Sequence, residues 1–399
     1  MGTDRTARFD TLAVENPGDS AAGDVVLPIH LSSTFELPGI DAEMSLEDLD
    51  PGAGEFIYSR MSNPTRHAVE SQLATLEGGE EGYAFASGTA AIATAALAVL
   101  EPGDHLVAFD DLYAGTRRMF EELLTRQLDV EVTFVDATRV ANVRAAIEDR
   151  TAMVWMETPT NPLMHLCDIE AIAEVAQSHD AVFGVDNTFA SPYFQRPLAL
   201  GADVVAHSTT KYLNGHSDGV GGALVTDDPA VAEAVEFRQQ VGLGTQLATF
   251  DSYLLSRGLK TLPVRMRQHE ENAVELATFL QDHSAVESVY YPGLADHPQH
   301  DLASEQMRGY GGTLSFELTG GYAEAKAFLE SLETITLAVS LGGVESLAEH
   351  PASMTHQPLG PDRRAEIGIT DSLIRVSVGI EAVEDLRADF ERGFDAMGE

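Results

Sequence analysis

A lysine beside hydroxyl side chains is the first group in this sequence that could do chemistry. In the segment HSTTKYLNGHSDGVGG, residues 207–222, Lys211 follows a short apolar run and comes after Ser208 and Thr210. Lysine occurs at three positions in the chain, so few side chains could supply a catalytic amine. If the apolar run is a strand, Lys211 lies at its carboxyl end, where open α/β sheets bind ligands. A strand-end lysine can also be an ordinary solvated residue, but the neighbouring hydroxyl groups favour a reactive amine.

An aspartate ends a second apolar run. The segment AVFGVDNTF, residues 181–189, leads directly into Asp186. This carboxylate could cap the following turn, or it could pair with a cationic ring nitrogen. Pyridoxal phosphate sites combine a lysine that forms a Schiff base with an aspartate that contacts the pyridinium nitrogen. Asp186 and Lys211 both follow predicted strands, which is the arrangement that such a site requires.

A third element has the features of a phosphate site. Ser87, Gly88 and Thr89 begin a predicted helix over residues 87–100. Helix N-termini bind anions through free N–H groups and the positive end of the dipole. Glycine lets a ligand approach the backbone closely. The same three residues are also an ordinary helix cap, so this pattern is informative only together with the lysine and the aspartate.

The elements that must position these residues alternate along the middle of the chain. Helical patterns at 116–128, 141–148 and 169–178 separate short apolar runs. Buried runs that alternate with helices are typical of a mostly parallel sheet covered on both faces. The predicted strands are 105–109, 131–135, 152–156, 181–185, 204–206 and 223–225.

The pattern predicts three parts in the chain. Residues 1–62 lack sustained periodicity and are predicted to form an extended arm that lies on another surface. Residues 63–260 contain the alternating helices and strands of the large domain. Residues 261–399 have a different sequence pattern, which is typical of a smaller α/β domain with an antiparallel sheet.

Charge and composition exclude several classes of function. With 64 acidic and 24 basic residues the net charge is −40, which disfavours binding to nucleic acid and to anionic membranes. We find no apolar run that predicts a membrane span or a signal peptide, so we expect a cytoplasmic protein. The single cysteine, Cys167, excludes an intrachain disulfide, and the histidine spacing predicts no metal site.

The scarcity of lysine in so acidic a chain indicates a protein that is adapted to high salt concentration. Molar salt screens charges within about 3 Å, and an acidic surface keeps a protein dispersed under such conditions. The composition therefore predicts a halophilic host.

Six long segments resemble the pyridoxal-phosphate enzymes of cysteine and methionine metabolism, the γ-family that contains cystathionine γ-synthase, cystathionine γ-lyase and methionine γ-lyase. The resemblance implies an α/β, aminotransferase-like fold of type I with pyridoxal 5'-phosphate as cofactor. It also implies a small amino-acid substrate and a homotetramer, a dimer of dimers with active sites shared across each dimer. The segments are YSRMSNPTR (58–66), FASGTAAI (85–92), ETPTNP (157–162), DNTFASPYFQRPLALGADVVAHSTTKYLNGHSD (186–218), SLGGVESL (340–347) and IRVSVGIE (374–381).

The resemblance implies roles for individual residues around the cofactor. Lys211 would bind the cofactor covalently and move protons, and Asp186 would keep the pyridine nitrogen protonated. Tyr113, in DDLYAGT, would stack on the ring and act as an acid or base. The phosphate would be bound by Ser87, Gly88, Thr89, Ser208 and Thr210 of one subunit and by Tyr58 and Arg60 of its neighbour.

The resemblance also implies how a substrate would be held. Arg375 would bind the α-carboxylate through its planar fork, helped by Ser340 and Asn161. Glu345 matches a glutamate that lies near the distal amino group in cystathionine-handling members. Ile57 stands where those members often carry an acidic residue, which weakens that assignment.

Departures from the family pattern reduce the number of candidate reactions. Gly115 and the pair Gln240-Val241 stand where methionine γ-lyases carry a cysteine and a Lys-Asp pair, which disfavours that activity. The segments DDLYAGT, WMETPTNP and YYPGLADHPQH resemble those of cystathionine γ-lyases, and this resemblance favours cystathionine γ-lyase activity. Cystathionine γ-synthase and O-acylhomoserine sulfhydrylase remain alternatives, and a non-catalytic ligand sensor is the alternative from another class.

Overall fold

A seven-stranded sheet forms the centre of the larger part of the protein. The computed structural model describes residues 7–17, 22–37, 39 and 50–398. The strands of the large sheet are Glu81–Phe85 (β1), His105–Phe109 (β2), Glu131–Val135 (β3), Thr151–Glu157 (β4), Val182–Asp186 (β5), Val204–His207 (β6) and Gly222–Thr226 (β7). Their spatial order is β1-β7-β6-β5-β4-β2-β3.

The direction of the strands sets where side chains can meet. Strands β2 to β6 are parallel, whereas β7 runs antiparallel to β6 and to β1. All five residues of β2 are buried, as expected for a parallel strand covered on both faces. The predicted mostly parallel sheet is therefore confirmed. Its strands β4, β5 and β6 end at one edge with Glu157, Asp186 and His207.

Helices pack on this sheet and on each other. For example, α2 lies against β1 and β7, and α3 lies against β6 and β7. The helices are Phe9–Val14 (α1), Pro64–Glu77 (α2), Gly88–Val99 (α3), Ala114–Met119 (α4), Arg126–Leu128 (α5), Val140–Ala146 (α6), Ile169–Gln177 (α7), Ser191–Phe194 (α8), Pro229–Phe237 (α9), Thr249–Leu259 (α10), Leu262–Gln281 (α11), His300–Gln306 (α12), Tyr322–Ser331 (α13), Gly360–Glu366 (α14) and Val383–Met397 (α15). Within the described ranges, none of the helices combines the length and apolarity needed to cross a bilayer.

Local capping explains where α2 begins and ends. The Oδ1 atom of Asn63 accepts a 3.0 Å hydrogen bond from the Thr65 N–H, and Pro64 occupies the first helical position. Proline costs nothing there because that N–H has no partner within the helix. Gly78 ends the helix in the left-handed conformation, with φ of 84°.

The second, smaller sheet contains five strands. They are Val286–Tyr290 (β8), Thr313–Leu318 (β9), Thr336–Leu337 (β10), Leu347–Glu349 (β11) and Leu373–Ser377 (β12). The order is β10-β11-β12-β9-β8, antiparallel except for the short pair β10 and β11. Its core includes Phe316, Phe328 and Phe390. This agrees with the predicted smaller α/β part, while the exact domain boundaries stay a prediction.

The N-terminal part differs from the predicted extended arm in one respect. The helix α1 was not expected, because six residues are too few for a helical period to stand out. Phe9, Leu12 and Ala13 are nevertheless buried, and the Gln72 side chain donates a hydrogen bond to the Ala13 carbonyl. Tertiary contacts, rather than local propensity, therefore stabilise this helix. The predicted arm also includes residues 1–6, 18–21, 38 and 40–49, which lie outside the described residues.

Candidate active site

A cavity of about 350 Å³ lies at the edge of the large sheet where β4, β5 and β6 end. It brings together most of the residues proposed from the sequence. These are Ser87, Gly88, Thr89, Tyr113, Asn161, Asp186, Ser208, Thr210, Lys211, Ser340 and Arg375. It is also lined by residues that sequence reasoning did not single out, among them Glu157, Thr188 and Thr355.

Lys211 presents its amine to this cavity. Its Nζ donates a 2.8 Å hydrogen bond to Oγ of Ser340. Burial and the nearby Arg375 guanidinium lower the pKa of Lys211 to about 8. The neutral amine is therefore accessible near physiological pH, and only the neutral amine can act as a nucleophile or accept a proton.

Asp186 is the last residue of β5 and lines the same cavity. Its Oδ1 accepts hydrogen bonds from the Thr188 N–H at 3.1 Å and from the Thr188 hydroxyl at 2.5 Å. Burial raises the pKa of Asp186 above its ordinary value. A cation placed beside this carboxylate would favour its ionised form. The site is thus suited to a protonated ring nitrogen.

The start of α3 and the loop before Lys211 meet on one side of the cavity. The Ser87 hydroxyl accepts a hydrogen bond from the Ala90 N–H at 3.1 Å and caps the helix. A Cβ on Gly88 would lie 2.9 Å from the Cβ of Ser208, so only glycine fits between the two segments. The helix N-terminus and the hydroxyl groups of Ser208 and Thr210 form a seat for an anion.

Glu157 is a cavity residue that sequence reasoning missed. It ends β4, directly beside Asp186 on β5 in the sheet register. Its Oε2 accepts a 2.7 Å hydrogen bond from the N–H of Tyr113, which places this tyrosine at the cavity wall. Burial and the adjacent Asp186 raise the pKa of Glu157 well above its ordinary value. Its position after a predicted strand was the available signal, the same signal that identified Asp186.

Arg375 lies in β12 with its guanidinium buried at the cavity. Its Nη1 donates to Oδ1 of Asn161 at 2.9 Å, and its Nη2 donates to the Ser340 carbonyl at 2.6 Å. Nη1 also lies 2.9 Å from Oε1 of Glu349. The Nε of Arg375 is buried and has no hydrogen-bond partner among the described residues. A buried donor without a partner is unfavourable, so the arrangement is suited to receive a carboxylate.

Glu349 and Thr355 hold this arginine, and the sequence analysis proposed neither. The carboxylate of Glu349 is fully buried, and its Oε1 accepts a 2.9 Å hydrogen bond from the Thr355 hydroxyl. Both residues belong to the stretch from β11 to residue 355, far in sequence from Arg375. No local pattern could have shown this contact.

Three proposed residues lie outside the cavity of their own chain. The Glu345 carboxylate accepts a hydrogen bond from the Ser217 hydroxyl and does not line the cavity. Tyr58 is exposed, and the Arg60 guanidinium lies 5.6 Å from the centre of its ring. The Arg60 Nη1 donates to the carbonyl of Gln240. The roles assigned to these three residues stay predictions.

Together these groups define a class of protein. An amine of lowered pKa, a buried carboxylate, a glycine-lined anion seat and a buried guanidinium surround one cavity at the edge of an α/β sheet. Each can hold one part of pyridoxal phosphate or of an amino acid bound to it. The fold and the cavity are those of a pyridoxal-phosphate-dependent enzyme of fold type I.

The particular family follows from comparison with known sequences. The chain belongs to the Cys/Met metabolism PLP-dependent enzymes, whose family profile matches residues 10–395. It is therefore an enzyme of this family, and pyridoxal phosphate is its cofactor. The predicted family, fold class and cofactor are confirmed.

Relatives with different reactions are about equally similar to the chain. It is 48% identical over 375 residues to a cystathionine beta-lyase of Coxiella burnetii, with 94% of each chain covered. It is also 48% identical over 374 residues to a cystathionine gamma-synthase of Mycobacterium bovis, which covers 94% of this chain and 93% of that protein. The crystal structure of a cystathionine gamma-lyase from Lactobacillus plantarum, complexed with L-serine, superposes with a TM-score of 0.92 at 45% identity. That superposition covers 98% of this chain and 100% of the other.

Proposed function

We propose that this enzyme catalyses the α,γ-elimination of cystathionine. In that reaction cystathionine and water give cysteine, 2-oxobutanoate and ammonia. The observation that carries the proposal is the contact between the Lys211 amine and Ser340, whose carbonyl accepts a hydrogen bond from Arg375. A base is thereby held beside a guanidinium that can bind an α-carboxylate. This is the geometry needed to remove a proton from the α-carbon of an amino acid.

The residues present fit pyridoxal phosphate. Lys211 would bind its aldehyde carbon and Asp186 its ring nitrogen, with Tyr113 against the ring. When bound, the cofactor supplies an electron-accepting ring that stabilises negative charge at the α-carbon of the substrate. The phosphate would be held by Ser87, Gly88, Thr89, Ser208 and Thr210.

The protein side chains would position the substrate and move its protons. Arg375 would bind the α-carboxylate, while Asn161 and Glu349 fix the orientation of its guanidinium. The neutral amine of Lys211 would accept the α-proton and later transfer protons at the β-carbon. Tyr113, held through its N–H by Glu157, would act as the acid or base near the departing sulfur.

The same residues could also catalyse other reactions that are known in this family. γ-Replacement on O-acylhomoserine, by cysteine or by sulfide, uses the same base and the same carboxylate seat. The similarity to the Mycobacterium bovis protein supports this second candidate. β-Elimination of cystathionine to homocysteine, pyruvate and ammonia is a third, supported by the Coxiella burnetii relative.

The identity of the oxo acid separates these reactions. The purified holoenzyme is incubated with L-cystathionine, and 2-oxobutanoate and pyruvate are separated chromatographically. Parallel reactions contain O-acylhomoserine with either cysteine or sulfide. We expect 2-oxobutanoate as the main product. Pyruvate as the main product would assign β-elimination, and cystathionine synthesis much faster than cleavage would assign the synthase reaction.

A matched pair of lysine variants controls this assay. Lys211→Ala should abolish the visible absorbance of the bound cofactor and lower activity by at least about 10²–10⁴-fold, the usual contribution of a general base. Lys326→Ala removes an exposed lysine 3.9 Å from Glu330 and should leave both unchanged. A colourless wild-type protein after incubation with pyridoxal phosphate would contradict the proposed use of Lys211.

The proposal includes a homotetramer whose dimers share active sites. Its support is that Tyr58 and Arg60 do not line the cavity of their own chain, although the family resemblance assigns them to the phosphate. Mixing Lys211→Ala with Arg60→Ala subunits should then restore part of the activity, because each mixed dimer contains one intact site. Light scattering should give four chains. No restoration after verified subunit exchange would contradict the shared site.

A further inference from the structure

A second cavity lies away from the active site. Its volume is about 700 Å³, and it shares no lining residue with the active-site cavity. It is formed where the start of α1 meets the end of α2 and the residues before β1. Three arginines line it, Arg8, Arg196 and Arg308, and they come from segments far apart in sequence.

Two of these guanidiniums lie beside the same aromatic ring. The Cζ atoms of Arg196 and Arg308 lie 5.3 Å and 5.8 Å from the ring centre of Phe9. Cation–π contact favours each position separately. Two like charges beside one ring nevertheless repel each other, so the arrangement favours a negative partner for both.

No such partner is provided by the protein residues described. Across residues 7–17, 22–37, 39 and 50–398, the ion pairs include none that involves Arg8, Arg196 or Arg308. The Nε of Arg196 is buried and finds no acceptor in the part of the chain that the structure describes. In a chain with 64 acidic and 24 basic residues, three arginines that line one cavity and form no ion pair with the described residues need an explanation.

Four acidic residues, Asp10, Glu70, Glu80 and Glu81, also line the cavity, and two of them pair with arginines outside this group. Asp10 lines the cavity and lies 2.6 Å from Arg267. Glu70 also lines it and lies 3.4 Å from Arg66. Burial and the Arg308 charge lower the pKa of Arg196 and outweigh the opposing effect of the Glu77 carboxylate.

We infer that this cavity is a binding site for a small oxyanion or carboxylate, held between the Arg196 and Arg308 guanidiniums with Arg8 beside them. Planar guanidiniums bind phosphate, sulfate and carboxylate groups through paired hydrogen bonds. The ligand would supply the acceptor that Nε of Arg196 lacks and would screen the repulsion between the two arginines. The site does not depend on which reaction the enzyme catalyses.

Equilibrium dialysis of the full-length holoenzyme tests this site. The probes are radiolabelled inorganic phosphate and radiolabelled sulfate, with unlabelled acetate as a competitor, all at constant ionic strength. The bound cofactor occupies the phosphate seat of the active site, and a parallel measurement with Arg375→Gln subtracts any anion that binds at the carboxylate site of the active site. We expect saturable binding of one anion per chain at this cavity, and the strength of competition by acetate distinguishes an oxyanion site from a carboxylate site.

Substitutions of the arginines test whether the anion binds in this cavity. Arg196→Gln and Arg308→Gln should each weaken it at least tenfold. Arg308 is exposed, so its variant should fold normally even if Arg196→Gln does not, and retained cofactor absorbance checks this. Arg144→Gln, which removes an exposed arginine that forms no ion pair with any described residue, should change nothing. Absence of saturable binding for both radiolabelled anions, or unchanged affinity in Arg308→Gln, would overturn the inference.

Discussion

The Nζ of Lys211 donates a 2.8 Å hydrogen bond to Oγ of Ser340, a residue 129 positions further along the chain. Ser340 has a φ of 93°, a conformation that is unfavourable for a residue with a side chain. The same residue accepts a hydrogen bond from Arg375 through its carbonyl. Ser340 therefore connects the reactive amine of Lys211, beside the large sheet, to Arg375 in the small sheet, the residue proposed to bind the substrate carboxylate.

The lowered pKa of Lys211 predicts how the apoenzyme reacts with its cofactor. Only the neutral amine attacks the aldehyde of pyridoxal phosphate, so the rate of recombination should rise with pH through a midpoint of about 8. An ordinary lysine would give a midpoint near 10.5. The rise of visible absorbance after rapid mixing measures this rate between pH 6 and 9.5.

A variant tests the cause of that shift. The positive charge of Arg375 contributes to the lowered pKa of Lys211, so Arg375→Gln should move the midpoint to higher pH. Between about pH 8 and 10.5 the unfolded chain binds more protons at this lysine than the folded one does. This residue should therefore increase stability as pH rises through that window. A midpoint that Arg375→Gln leaves unchanged would show that burial alone sets the pKa.

Gly88 should be required for cofactor retention. A methyl group at this position would lie 2.9 Å from the Cβ of Ser208, so Gly88→Ala must push α3 away from the loop before Lys211. Overpacking of this kind costs about 1–3 kcal/mol, which corresponds to about 5- to 150-fold weaker binding. Titration of the apoenzyme with pyridoxal phosphate measures the affinity.

The control for this change is Gly398→Ala. It adds the same methyl group where the nearest atom, the Asp395 carbonyl oxygen, is 3.6 Å away. This variant should bind the cofactor normally. Equal affinities for the two variants would show that the segments around Gly88 can separate at little cost.

The sequence predicted the large sheet well because its strands are local apolar runs. The predicted runs 105–109 and 131–135 have the observed bounds of β2 and β3. Strand β1 and helix α10 were missed. Glu81–Phe85 begins with two residues that are not apolar, and Thr249–Leu259 mixes polar and apolar residues without a clear period. In both segments, packing against neighbouring elements outweighs the local pattern.

The site was predictable where a chemical group follows a strand and unpredictable where it depends on distant contacts. Asp186 and Lys211 both follow predicted strands, and both line the cavity. Glu157 carries the same signal but acts through a hydrogen bond to Tyr113, 44 positions away. Glu349 reaches Arg375 only through the pairing of β11 with β12. Such partners become visible only when the strands are assembled.

The buried pair of Arg375 and Glu349 should matter for stability as well as for substrate binding. Glu349→Ala would leave a buried guanidinium unpaired, which typically costs about 3–5 kcal/mol. Thr355→Ala removes one 2.9 Å hydrogen bond to Glu349 and should cost about 1 kcal/mol. Urea unfolding at one protein concentration, followed by circular dichroism, measures both.

An exposed ion pair is the control for this comparison. Arg387 lies 3.4 Å from Glu275, and both side chains are nearly half exposed. Glu275→Ala should therefore cost less than about 1 kcal/mol. If Glu349→Ala is no more destabilising than Glu275→Ala, the arginine has found another partner or solvent.

The acidic composition predicts that stability depends on salt. At net −40 the exposed carboxylates repel each other, and this repulsion opposes the compact state. Raising the salt from about 0.1 M to about 1 M shortens the screening length from about 10 Å to about 3 Å. We therefore expect the Tm of the holoenzyme to rise steeply with potassium chloride over this range. The proposed halophilic adaptation would be contradicted by a Tm that stays constant or falls as the salt concentration increases.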